Sequence, residues 1–583
     1  MNAHPIVAVI PFGARTSDPR HGAWARQIAR RLVERFARES AFELRPVYLV
    51  MPETGKDAGY LVFGSSPDPE LAAQYATSLG ASHALVATYR DDASGRGIEA
   101  TLVDAATRAT VARRVSTISA GGLHHVEPEL AAWLAGALQI TPASDVTKPA
   151  AATEDAYAAL LEAMDEEVNA TLLRASEPER ASAALHAALA RYLDAARADP
   201  QSAAAEERLL VIATEGLERG AVGEEIRVLE ELVTIRPRSW RAHYLLGQLR
   251  SEGGDANGAI VAFEHARSLH ALPDKDLVRL AELYANAGAP APGLAHLRRI
   301  APSSEAFGAA QELLAIISFQ RGDLDSGREA FARAVERGAT SWELHASHGA
   351  ALHAHGDAGE AVRHYEDALA SGGPAAVRLN LARARLASGD REGALADLDE
   401  LLGREHAGEV AGQARRLRFG LREPALEREL ERAGQAALAG EAQALDESRA
   451  VFERAIALDP DLWEAHFGLG IVARQRGDAA AAQSAFRRVL DLVPDQPDAL
   501  HELGVALLMN EEIADALRAL DHAATLRPDE PAYLADAGFA HLKAGDLESA
   551  RRRLERAARL DASDPITKSY LSELARVEAA NRT

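Results

Sequence analysis

The chain has 583 residues and no cysteine, and its 64 basic residues stand against 87 acidic ones for a formal net charge of −23. Without thiols there is no disulfide framework, thiolate nucleophile or zinc–thiolate site, and so acidic a surface repels nucleic acid and anionic lipid. No run approaches the roughly 18 apolar residues of a membrane span, and Met1–Phe12 lacks the parts of an export signal, so no membrane insertion and a cytoplasmic protein are expected, the alternative being a chain trimmed of its signal.

Residues 1–140 carry 14 basic and 14 acidic residues, so the acidic excess lies beyond residue 140. Pro5–Phe12 (PIVAVIPF) reads as a buried strand. Trp24–Glu39 reads as an amphipathic helix with Ile28, Leu32 and Phe36 on one face. Leu44–Val50 is a second strand, and Tyr60–Phe63 extends the sheet. Pro69–Leu79 is a helix stopped by Gly80. His83–Arg90 and Ile98–Asp104 are strands joined by the polar turn Asp91–Gly97, Val111–Ile118 is a further strand, and Glu127–Leu138 is a helix. Mixed strands and helices predict a compact α/β domain.

Three stretches of this region resemble the N-terminal domain of the Tol–Pal protein TolB. They are Ile6–Phe12 (strand into Pro-Phe), Leu79–Val86 (helix stop into strand) and Leu102–Thr107 (strand into an Asp-Ala-Xaa-Thr turn). The resemblance implies a protein-interaction module without chemistry of its own. The loop Gly13–Gly22, with two arginines, departs from that family.

Thr141–Thr153 (TPASDVTKPAAAT) is aperiodic and reads as a linker. From Glu154 the chain is almost all helical. A first pair spans Asp155–Arg174 and Pro178–Ala198, and the next ends at Pro237. Gly254, Gly288, Gly322 and Gly356 then recur every 34 residues, with Gly389 one residue early. Asp255, Asp323, Asp357 and Asp390 follow four of them, a helix stop followed by an N-cap. Residues 154–402 form the first block. The phase slips over 403–424, where Arg404–Arg422 reads as an extra helix without a pair partner. Residues 425–583 form the second block, closed by the helix Ile566–Val577.

Trp463–Asp561 shows the unit most plainly. Gly470, Gly504 and Gly538 share a 34-residue period, as do Ala482, Ala516 and Ala550, and Pro494 and Pro528. Small residues let the two helices of a unit approach, Phe486, Leu520 and Leu554 fill the space between units, and the prolines end the second helix. These residues resemble the tetratricopeptide repeat. The fold expected is mainly α, a solenoid of about 11 helical pairs after the small α/β domain. The resemblance implies a partner protein or peptide on the concave face.

Carried over by spacing, that face holds Phe467, Ile471 and Arg474 in one unit, His501, Val505, Leu508 and Met509 in the next, and Ala535, Phe539, Leu542 and Lys543 in the third. The strip is apolar with cationic flanks, and Met509 adapts to different ligands. The competing reading packs Val505 and Leu508 between helices. The family's chaperone-tail clamp has Asn and Lys where Phe467 and Ile471 stand, so a free C-terminal carboxylate is not the expected ligand.

Other motifs read as structural. His345 and His348 share a helix face and, with His353 and His355, suggest a metal. Yet His345 falls where His243 and His466 stand in their units, which argues for packing. His124-His125 sits in a loop with no nucleophile beside it. His501-Glu502 lacks the second His of a zincin helix, and Thr54–Asp57 lacks two positions of a phosphate loop. Arg26, Arg30, Arg31, Arg35 and Arg38 read as a solvated face, interleaved with Glu34 and Glu39, rather than a grip on an acidic partner. The expected function is therefore a non-enzymatic adaptor with no cofactor, no metal and no catalytic residue. Self-association stays open. The alternative is a sensor whose N-terminal domain binds a small molecule at Gly13–Gly22 and Gly121–His125 while the repeats recruit a partner.

Overall fold

A computed structural model describes residues 5–37, 42–47, 50–51, 59–60, 68–141, 148–218 and 223–580. The readings of Arg38, Glu39, Thr54–Asp57, residues 61–63 and residues 142–147 of the linker lie outside them. The chain divides into two compact units, Met1–His296 and Leu297–Thr583.

In the first unit, β1 (Ile6–Val9) runs parallel to both β3 (Glu43–Pro46) and β6 (His83–Asp92). An inner parallel strand is covered on both faces, which is why PIVAVIPF is continuously apolar. β7 (Gly95–Asp104) and β8 (Thr110–Thr117) follow β6 as an antiparallel meander, giving the order β3-β1-β6-β7-β8. The loop after Phe12 contains a strand the sequence did not announce: β2 (Gly13–Arg15) pairs with the far end of β6. β4 (Val50–Met51) and β5 (Gly59–Tyr60) form a separate two-stranded ribbon rather than an extension of the main sheet. Alternation assigns the faces. Val7, Val9, Leu85 and Leu102 pack under α1 (Arg20–Phe36) and α3 (Val126–Ala137), whereas Ala8, Ile10, Val86 and Val103 pack under α2 (Pro69–Ser78).

The α1/α3 core runs without a break into α4 (Glu154–Leu173) and α5 (Pro178–Ala198) through Tyr157, Leu161, Met164 and Leu189. This corrects the reading of the arginine row as a solvated face. Arg26 donates to both carboxylate oxygens of Asp165 at 3.0 and 2.7 Å, and Gln27 donates to Asp165 at 3.0 Å. Glu127, on α3 and fully buried, accepts from Arg35 at 2.6 Å and from the Tyr157 hydroxyl at 2.8 Å. Burial, then the Glu127 charge, pushes the Tyr157 phenol well up. The first helical pair covers α1, so the arginines meet buried acids where the sequence shows only alternating charge.

Helical pairs then repeat. The glycines at the turns adopt left-handed backbone, with φ of 80° at Gly254, 76° at Gly322, 86° at Gly356 and 85° at Gly545. The following aspartates cap the next helix, as Asp323 does from the Ser326 amide at 3.2 Å and Asp478 from Ala481 at 3.0 Å. Inside the pairs, a Cβ at Gly470 would stand 2.5 Å from the Phe486 ring and one at Gly538 2.8 Å from Leu554. The architecture is thus a tetratricopeptide-like helical array preceded by a small α/β domain. Among the described residues no helix is long and apolar enough to cross a membrane.

Candidate functional site

The expected strip lies in the second unit, on the helices Trp463–Gln475, Pro497–Met509 and Pro531–Ala544. Its members separate. Ile471 is 2% exposed, Leu542 6% and Ala535 1%, so these three belong to the core between helices. Val505 and Leu508 are half-buried, and Met509 is exposed at the end of its helix. Arg474 Nε lies 2.6 Å from Glu502, a carboxyl that burial pushes up against the pull of that arginine.

The polar members meet in a ladder. His501 Nε2 is 2.8 Å from Asp536, which also accepts from the Tyr570 hydroxyl at 3.1 Å. Tyr570 stacks on Phe539, and Lys543 Nζ lies 4.9 Å from the Phe539 ring centre. Phe467 packs beside Trp463 and Phe486.

The sequence left a larger feature unread. The helix Glu409–Arg422 enters through Gly408, which has φ 97° and donates from its amide to the Leu492 carbonyl at 2.7 Å. A Cβ at Gly412 would meet Trp463 and Val493 at 3.2 Å, so the missing side chain lets this helix close on the following repeats. Between it and the turn Val493–Pro497 lies a cleft of about 1050 Å³, walled by Arg416, Leu417, Trp463, Glu464, Pro494 and Gln496 among others. Trp463, Glu464, Arg416 and Gln496 also wall an adjoining, mostly apolar slot of about 290 Å³, completed by Leu430, Leu438, Phe452 and Phe467.

Glu464 is the chemically unusual group in this wall. Its Oε2 is buried with no hydrogen-bond partner. Burial pushes its pKa up to about 7, against a hydrogen bond from its own backbone amide and then the pull of the nearby Arg416. Arg416 is itself engaged by Glu427 and Glu431 at 3.4 and 3.3 Å. In the sequence Glu464 is a first-turn glutamate, a residue type that usually faces water at a helix N-terminus. Only its place opposite the phase break distinguishes it.

Both loops of the sensor reading make contacts with the protein's own residues. Thr16 and Asp18 contact His21, and the Leu123 amide donates to Glu154. The cavity beside Gly122 and His125 measures about 60 Å³, room for a water or two rather than a metabolite.

Residues 433–482 and 469–531 match the tetratricopeptide repeat family. Over those residues the chain is similar to tetratricopeptide repeats. No curated protein matches the sequence. Among solved structures, PilW, described as a widely conserved type IV pilus biogenesis factor, is 14% identical over 34% of this chain and 92% of its own, with a TM-score of 0.30. YrrB, described as a TPR protein with an unusual peptide-binding site, is 16% identical over 34% of this chain and 92% of its own (TM-score 0.21). A MamA double mutant is 20% identical over 32% and 95% (TM-score 0.20).

Proposed function

We propose that the chain is a non-enzymatic adaptor whose tetratricopeptide array holds a peptide segment of a partner protein in the cleft along Glu409–Arg422 and Trp463. The observation that carries this reading is the orphaned Glu464 Oε2 in the cleft wall. A buried acceptor left without a donor costs about 1–3 kcal/mol, and an arriving N–H group removes that cost. A peptide brings such donors in its backbone, and in Lys, Asn or Gln side chains. The adjoining slot, with Leu430, Phe452 and Phe467, suits one apolar side chain next to that donor. The net charge of −23 favours a basic segment. The ladder from His501 to Lys543 extends the reading along the next two repeats.

The α/β domain serves in this reading as a second docking module of the kind found at the TolB N-terminus. Its support is the edge strand β8, on which Val111 and Val115 are 46% and 56% exposed. An edge strand accepts a further strand by main-chain pairing.

Random peptides selected on the full chain test the proposal. The selected peptides are expected to pair an apolar residue with a neighbouring amide or cationic one, and to lose at least tenfold in affinity for Leu438→Arg, which fills the slot mouth from an exposed position. Unchanged affinity for that variant would remove the cleft from the account.

A further inference from the structure

The repeat formed by the helices Trp342–Ala354 and Ala358–Ala370 carries a side-chain cluster that the adaptor reading does not use. His345 Nδ1 and His364 Nδ1 stand 3.3 Å apart, and Asp367 Oδ2 lies 3.7 Å from His345 Nδ1. One donor atom from each of the three residues falls within 4.8 Å of the others. Zinc binds nitrogen and oxygen at about 2.0–2.2 Å in a tetrahedron, which places neighbouring donors about 3.3–3.6 Å apart. The two measured separations are close to edges of such a tetrahedron before any ion is present. The residues come from both helices of the pair, with His364 and Asp367 one turn apart on a shared face.

Recurrence along the repeats argued that His345 is a packing residue, and its ring does pack against Phe331, but its polar contacts differ from those of its counterparts. His243 Nε2 and His466 Nε2 each bond the carbonyl of a proline six positions upstream, Pro237 at 3.1 Å and Pro460 at 2.8 Å. At the matching place before His345 stands Ala339, and the His345 ring turns to His364 instead. His364 could not be foreseen from the run His345–His355, because it arrives from the other helix. His353 and His355 do not join the cluster, and His355 Nδ1 bonds the Ala351 carbonyl at 2.8 Å.

Buried rings back the cluster. His348 is 6% exposed, both its ring nitrogens lack a hydrogen-bond partner, and its ring lies 4.1 Å from that of His364 and stacks on Phe319 at 4.3 Å. The nearby cations are countered, since Glu360 lies 3.6 Å from Arg328 and 3.3 Å from Arg363.

We propose that His345, His364 and Asp367 bind one divalent first-row cation of the zinc class, clamping the two helices of this repeat and leaving the remaining coordination position to water or an outside ligand. Two imidazoles and a carboxylate are a donor set that Zn²⁺ accepts with an open position.

Titration calorimetry of the full chain with Zn²⁺ alone, at about pH 7.5, tests this. One saturable high-affinity equivalent is expected, with loss of at least tenfold in affinity for His364→Ala and for Asp367→Asn. Asp367 is largely exposed, so its variant keeps the fold even if His364→Ala does not. Co²⁺ in place of Zn²⁺ is expected to give the visible absorption of a tetrahedral site in the wild type, and to lose it in Asp367→Asn. His353→Ala is expected to bind as the wild type does. Absence of a saturable equivalent, or wild-type affinity in both ligand variants, overturns the proposal.

Discussion

Glu464→Gln separates a buried, pH-sensitive carboxyl from an ordinary surface glutamate. Burial moves the Glu464 pKa from the usual 4.5 to about 7. At about 1.36 kcal/mol per pH unit, that displacement is worth about 3 kcal/mol. The sign is set by linkage. The folded-state pKa lies above the unfolded one, so the group costs nothing below about pH 4.5. The cost grows as pH rises through that window and is complete above about pH 7. Glutamine does not titrate. The variant should therefore match the wild type near pH 4.5 and be more stable by about 2–3 kcal/mol near pH 8. Because repeat arrays lose cooperativity over long chains, the readout must be local: urea unfolding followed by hydrogen exchange in peptides covering Trp463–Gln475. Equal stabilisation at both pH values, or destabilisation near pH 8, would refute the reasoning. A bound peptide that donates to Glu464 should shrink the difference.

Packing sets three further outcomes. Glu511 occupies the turn position that Gly477 and Gly545 hold one repeat away, with φ 60° against 77° and 85°; left-handed backbone costs a side chain about 1–2 kcal/mol, so Glu511→Gly should stabilise this turn by about 1 kcal/mol in urea after the entropy of the new glycine is counted. Gly470→Ala puts a methyl 2.5 Å from Phe486, and overpacking should destabilise by about 1–3 kcal/mol in the same assay. Glu127→Ala removes the acceptor of Arg35 and Tyr157 from a fully buried position and should destabilise the first unit by about 3–5 kcal/mol, read by exchange in α1 and α4.

The array was legible because its signals are local and periodic. A glycine in left-handed conformation, an aspartate cap and a small residue facing a large one each leave a mark at fixed spacing. Gly322, Asp323 and Gly470 do in the structure what their spacing announces. The site residues were less legible. Ile471 and Leu542 stand one helical turn after Phe467 and Phe539, but a small rotation round a helix separates groove from core, and spacing alone does not resolve it. The arginines of α1 alternate with acids in the sequence as a solvated face would. Their true partners, Asp165 and Glu127, are more than 90 residues away in the chain from the arginines they bind. Glu464 and His364 were missed for the same reason. What makes each unusual is a neighbour from another helix.

The measurement closest to the central claim is photo-crosslinking from the cleft. A peptide selected on the wild type is mixed with full chain carrying p-benzoylphenylalanine in place of Leu417, and in parallel in place of the exposed Val261. The adaptor account expects a covalent product from position 417, competed away by unlabelled peptide, and none from position 261. Equal labelling from both positions, or labelling from neither while the peptide still binds, would contradict it.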